Sequence, residues 1–287
     1  MHKRSLQQIV WTTIEILFIG VSMVLGSYPL EKMNAKANPV GIQSSKNTQD
    51  IFYSYSEFSR ANIQKLATST TVRILIFNKS GTVITSGSGV IVQKQGNIYT
   101  VLTNLHVLQF ADHAVILTPE GLQHSLMSQS YAAKFGDNDM AIAQFFSSQQ
   151  YEISQIRREP LQIGDRVFAS GFPIYQDRSL VTTFERGLQG FRFTEGIVSI
   201  LPNKSLTQGY RIGYSNDIVV GMSGGPIFDE SGFLVGINGR IKNRDPDFGG
   251  YTFDDGTEPS PMLLQQMLKA SWGVPISTYL QFMSIHS

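Results

Sequence analysis

From Val72 onward the chain is written in short β-branched and aromatic runs separated by glycine-bearing turns, a rhythm that leaves few architectures open. The runs fall at 72–77, 89–93, 98–102, 114–117 and 140–146, then at 166–169, 181–184, 196–201, 210–214, 226–229, 233–241 and 272–276. Strand-length segments at this spacing predict an all-β domain, either a sandwich or a barrel. Helical signals are confined to the ends. Apolar Phe58, Ile63 and Leu66, with Ser54 or Ser56 as the cap, predict a short helix over 56–68. Two more are expected over 262–270 and 277–285.

With 287 residues, 41% of them hydrophobic, the chain has ample material for a core, as one large or two small domains. A formal net charge of +1 and the lack of any basic run interleaved with aromatics argue against a nucleic-acid partner. The absence of cysteine excludes disulfides and thiolate metal sites. At the N-terminus His2, Lys3 and Arg4 precede a mostly apolar run, 9–25, and Ala35-Lys36-Ala37 offers a small-x-small cleavage site. Residues 1–37 are therefore expected to be a signal peptide or a membrane anchor that puts the remainder outside the cytoplasm, in a periplasm or lumen. Residues 38–53 are polar and aperiodic and read as a linker, which leaves 54–287 for the folded domain.

Gly221-Met222-Ser223-Gly224-Gly225-Pro226 is the stretch that carries chemistry. Glycines around a serine leave its hydroxyl uncrowded and allow two neighbouring N–H groups to point at one spot, a nucleophile beside an oxyanion hole. A serine hydroxyl needs a histidine to take its proton and a carboxylate to orient that histidine. The string also fits the nucleophile elbow of α/β-hydrolases, whose order of Ser, acid, then His would leave only His286, the next-to-last residue. The order His, Asp, Ser instead finds His106 in Thr103-Asn104-Leu105-His106-Val107 and Asp139 in Asp139-Met140-Ala141-Ile142, each at the edge of a strand-like run. Asp137 rivals Asp139, being two residues away on the same face of a strand. His113 and His124 are expected in exposed turns, and neither has the spacing of a metal ligand.

Four stretches in one order, Gly87 to Val92, Thr103 to Val107, Asp139 to Ile142 and Gly221 to Ile227, resemble the trypsin-like serine peptidases, and among them the bacterial high-temperature-requirement type. The resemblance covers roughly residues 70 to 241. It implies two six-stranded β-barrels, about 70–150 and about 160–276, with the active site between them, and short helices at both ends of the domain. His106, Asp139 and Ser223 would be catalytic, and the N–H groups of Gly221 and Ser223 would form the oxyanion hole. Asp217, six residues before Ser223, stands where that pattern puts a charged pocket floor. Gly239, Arg240 and Ile241 resemble the edge that pairs with an extended substrate, and the insertion 242–261 falls where a pocket wall would be, either as a specificity loop or as a solvated excursion. Proteins or peptides would be the substrates, with no cofactor, and no peptide-binding domain is expected after the last helix. Met222 stands where zymogens of the family carry an aspartate that pairs with a new N-terminus, so activation is expected not to need one. An inert binding module on the same scaffold and an esterase are the competing functions.

Overall fold

In the computed structural model the described residues are 59–109, 111–127, 135–174, 190–246 and 250–286. The N-terminal signal or anchor, the linker, and the strand expected over 181–184 lie outside them. Among the described residues no helix is long and apolar enough to cross a membrane.

The expected β-rich architecture is present, and its two halves close differently. In the first half, β1 (Thr71–Phe77), β2 (Val83–Gln95), β3 (Ile98–Thr103), β4 (His113–Leu117), β5 (Gln123–Ser125) and β6 (Ala141–Phe146) form one antiparallel sheet ordered β5-β4-β1-β2-β3-β6. This sheet curls: Met127, just past β5, donates its N–H to the Gln144 carbonyl of β6 at 2.8 Å. In the second half, β7 (Arg166–Gly171), β8 (Arg192–Ile200), β9 (Ile212–Tyr214), β10 (Pro226–Asp229), β11 (Leu234–Arg240) and β12 (Ser271–Pro275) form a closed barrel ordered β10-β11-β12-β9-β8-β7. The pairing of β10 with β7, Ile227 opposite Ala169, shuts it. The two expected six-stranded units are thus both present, one as a closed barrel and the other as a curled half-barrel sheet. Only the closed barrel leaves no backbone edge unpaired.

The alternation of β1 shows how the halves meet. Val72, Ile74 and Ile76 turn into the first core with Ile91, Val101 and Phe145. Thr71 faces the other way and its hydroxyl shares a 3.1 Å hydrogen bond with Ser170 of β7. Helix α1 (Arg60–Thr70) runs directly into β1 and buries Ile63 and Ala67 in the cluster that holds Phe168, Phe228 and Leu234 of the barrel. Its cap is Ser59, not Ser54 or Ser56, with Oγ accepting from the Asn62 N–H. The hydroxyls of Thr68, Thr70 and Thr71 donate back to carbonyls of the preceding turn, and the helix ends at Thr70, two residues past the expected end at Thr68. The other helices among the described residues are α2 (Leu105–Leu108), α3 (Pro261–Leu268), α4 (Ser277–His286) and a 3-10 turn, Thr207–Gly209.

Candidate active site

Strand register brings His106 and Asp139 together. β3 and β6 are antiparallel with Thr103 opposite Ala141, so the chain leaving β3 passes the chain entering β6 where residues 105 and 139 are level. Buried Val107 and Leu108 anchor α2, and the His106 side chain remains 39% exposed. Asn104, at the N-cap, spends its amide on the Asp139 carbonyl at 2.8 Å rather than on the helix. The Asp139 side chain is 3% exposed. Its Oδ2 meets His106 Nδ1 at 2.7 Å, and its Oδ1 accepts the His106 backbone N–H at 2.9 Å. Asp137, the rival acid, lies in an exposed turn and not on a strand.

Tyr210 supplies a third donor. Reaching across from the barrel half, its hydroxyl donates to Asp139 Oδ2. The Asp139 N–H in turn donates to the Gln208 carbonyl at 2.8 Å. Burial pushes the Asp139 carboxyl upward, yet the hydrogen bond and charge of His106 and the Tyr210 hydroxyl outweigh it and hold the group below the usual carboxylate range. Burial, and then the Asp139 charge, push the Tyr210 phenol well above its ordinary value, so it stays protonated and donates.

The serine turn is built by contacts from both halves. Met222 N–H donates to Val219 O and Gly225 N–H to Met222 O, both at 3.0 Å, with Gly221 and Gly224 at φ +95° and +82°. Ser88 of β2 clasps this turn: its N–H donates to Ser223 O at 2.8 Å and its hydroxyl to Gly221 O at 2.8 Å. Gly224 is seated so tightly that a Cβ would fall 2.3 Å from both Ser88 O and Thr103 Oγ1. This seats Ser223 against the end of β3, three residues before His106. Asn238, fully buried, holds the other side by accepting the Gly224 N–H at 2.8 Å and donating from its side chain to Ser170 O at 2.8 Å.

Ser223 is half-buried, and its hydroxyl lies 3.4 Å from the Gly239 carbonyl with no hydrogen bond to the imidazole. The N–H groups of Gly221 and Ser223 have no acceptor among the described residues. Met222, between them, points into the barrel core and is fully buried with Val167, Ala169, Val198 and Ile227.

Asp217 lines a pocket together with Arg192, Lys242 and Asn243 and with the apolar side chains of Ile174, Ile218, Val219, Val220 and Ile241. Its side chain is 55% exposed and bridges Arg192 at 2.7 Å and Lys242 at 3.2 Å. Gly239 and Ile241 flank the site, but the Arg240 side chain turns inward, so Arg240 has only its backbone to offer a substrate. Its guanidinium stacks 4.0 Å above the Tyr210 ring and donates to Thr207 O, Gln208 Oε1 and Gly250 O. The insertion is neither wholly a pocket wall nor a solvated excursion. Lys242 and Asn243 border the pocket, whereas 250–257 folds behind the acid, with Thr207 N–H on Thr252 O and Asp254 N–H on Ser205 O, both 2.9 Å.

The other histidines also differ from expectation. His113 opens β4 rather than sitting in a turn, and it remains exposed. His124 lies half-buried in β5, with Nε2 3.0 Å from the Tyr151 hydroxyl. Gln123-His124-Ser125 has no apolar run, so no strand signal marks it. No cluster of His, Cys, Asp and Glu suited to a metal occurs among the described residues. Tyr210, Ser88 and Asn238 were missed as site residues. Tyr210 and Asn238 sit in runs that also read as ordinary strand, and only Ser88, between two glycines in the Gly87 to Val92 stretch, carried any local signal.

Proteins called probable periplasmic serine endoprotease DegP-like are similar to part of the chain. The one from Pseudomonas fulva is 30% identical over 173 residues, 58% of this chain and 31% of the relative. Those from Halomonas elongata and Ectopseudomonas mendocina are 26% and 27% identical over 58% and 63% of this chain, and 32% and 35% of their own. The chain thus spans about a third of the length of these curated relatives. The profile of the trypsin-like peptidase domain matches residues 87–237, more than half of the 287. The chain belongs to the trypsin-like peptidase domain family.

Proposed function

We propose that the chain is a serine endopeptidase that uses Ser223 as nucleophile, His106 as general base and acid, and Asp139 to orient His106. The observation that carries this reading is the buried Asp139 carboxylate holding His106 Nδ1 at 2.7 Å, beside a serine turn whose two N–H groups are unengaged. With Nδ1–H held by the acid, Nε2 is left as the basic nitrogen. Ser223 Oγ attacks the scissile carbonyl carbon as Nε2 takes its proton. The oxyanion is received by the N–H groups of Gly221 and Ser223, each worth about 3 kcal/mol where such a donor has been removed. His106 then protonates the leaving amine, and water repeats the sequence on the acyl-enzyme. The backbone at 239–241 would pair with an extended substrate, which suits proteins and peptides. Because Asp217 is already bridged by two cations, the apolar walls of its pocket would choose the side chain next to the cut.

The test is fluorophosphonate labelling of the full chain, followed by cleavage-site profiling and a comparison of peptide with short-ester substrates. The expected outcome is a single label on Ser223, peptide cleavage after Val, Ile or Leu, and no preference for Arg. A label elsewhere, or none, refutes the mechanism, and turnover of esters alone makes the protein an esterase.

We also propose an extracytoplasmic location, supported by the basic start and apolar run of the N-terminus and by the periplasmic naming of the relatives. A reporter fused after Asn38 is expected to be active only outside the cytoplasm. Activity confined to the cytoplasm would overturn this.

A further inference from the structure

Gly239 and Tyr210 share one space. A Cβ on Gly239 would fall 2.2 Å from a Tyr210 ring carbon and 2.4 Å from its hydroxyl, so the ring fills the position a side chain at 239 would take. From there the Tyr210 hydroxyl reaches Asp139 Oδ2, the same oxygen that meets His106 Nδ1. The ring cannot tilt freely, because Arg240 lies 4.0 Å above it and is tied to the Thr207 and Gly250 carbonyls. Tyr210 is also 1% exposed, so water does not replace its hydroxyl. The Tyr210 hydroxyl and Nδ1–H thus draw on the charge of a single carboxylate oxygen.

We propose that Tyr210 is a positioning residue that clamps Asp139 from the barrel half and sets how strongly its carboxylate pairs with His106. This rests on the peptidase reading of His106, Asp139 and Ser223. Two consequences follow for the pair. Without the hydroxyl, Oδ2 is held on one side only and the acid loses its fixed aim. Oδ2 also regains the charge it shared, which favours the protonated, inactive form of the His106–Asp139 pair.

The test compares Tyr210→Phe, which keeps the ring and deletes the hydroxyl, with Tyr99→Phe. Tyr99 is an equally buried control whose hydroxyl donates to Gln149 O at 2.9 Å in the first half. Removing a group that orients a reacting side chain costs about ten- to a hundredfold in the metal sites where this has been measured. For Tyr210→Phe, kcat is expected to fall about tenfold with KM within about twofold, and the acidic limb of the kcat/KM profile to move to higher pH. Tyr99→Phe should lower thermal stability without moving that limb. A Tyr210→Phe profile and kcat indistinguishable from those of Tyr99→Phe would sink the clamp.

A second readout does not depend on turnover. The downfield proton resonance of His106 Nδ1–H reports its bond to Asp139 directly, and Tyr210→Phe should shift it. An unshifted resonance overturns the clamp even if the protein is a peptidase. A shifted resonance in a chain that neither labels nor cleaves upholds the clamp and removes the peptidase reading instead.

Discussion

Ser223→Ala is expected to lower kcat/KM for peptide hydrolysis by at least about ten-thousandfold while leaving the melting temperature within a few degrees. The Ser223 hydroxyl makes one 3.4 Å contact and the residue is half-buried, so its loss costs the fold little. The turn around it is held instead by backbone groups, Ser88 and Asn238. What remains after the substitution is catalysis by the backbone N–H groups at positions 221 and 223 and by binding alone. His106→Ala should fall to the same level, and the double variant no further, because the two residues act as one unit. Asp139→Asn should cost about as much for a separate reason. Its one remaining oxygen cannot serve the three donors that the carboxylate accepts, and its amide favours the wrong tautomer of His106. Steady-state kinetics checks all four, and Ser223→Ala activity within tenfold of wild type would falsify the assignment.

The second large effect is expected at Met222. Met222→Asp puts a carboxylate where the side chain is fully buried among Val167, Ala169, Val198 and Ile227. A lone charge there costs several kcal/mol and is relieved only by taking up a proton. At about 2–4 °C per kcal/mol for a domain of this size, the melting point at pH 7 should drop by about 10 °C or more. The sign of its pH dependence is fixed. The introduced group has a folded-state pKa raised above its unfolded value of about 3.9, so the loss is smallest below that value and grows as pH rises through it. Melts at pH 4 and pH 7 measure this, and an equal loss at both would show that the carboxylate is not buried. The same packing leaves no partner for an inserted ammonium group. Chains with a free or a blocked N-terminus should therefore label with fluorophosphonate at the same rate.

Much of the fold could be read from the sequence because it rests on local signals. The strands lie close to the β-branched runs, and the terminal helices appear where apolar spacing called for them. The failures share one cause, which is distance along the chain. Tyr210 bonds a residue 71 positions away and Ser88 one 133 positions away, and neither spacing leaves a mark on its neighbours. The choice of Asp139 over Asp137 rests in the sequence on the Met-Ala-Ile that follows Asp139, and it is Asp139 that His106 contacts in the fold. Nothing local to Arg240 marks its side chain as buried, because a charged residue ordinarily signals exposure. Its burial is made possible by the stacked Tyr210 ring and by carbonyls of two loops that periodicity cannot place.

The unequal closure of the two halves bears on how the molecule comes apart. A closed barrel must break two neighbouring ladders to release any strand, whereas a strand at the edge of the curled sheet gives up one. β6, with Asp139 two residues before it, is such an edge strand. Amide hydrogen exchange should find the barrel strands the slowest and β5 and β6 the fastest. An opening confined to that edge would release the acid from His106 while Ser223 remained seated in the intact barrel. Peptidase activity would then be lost at a lower denaturant concentration than the global transition.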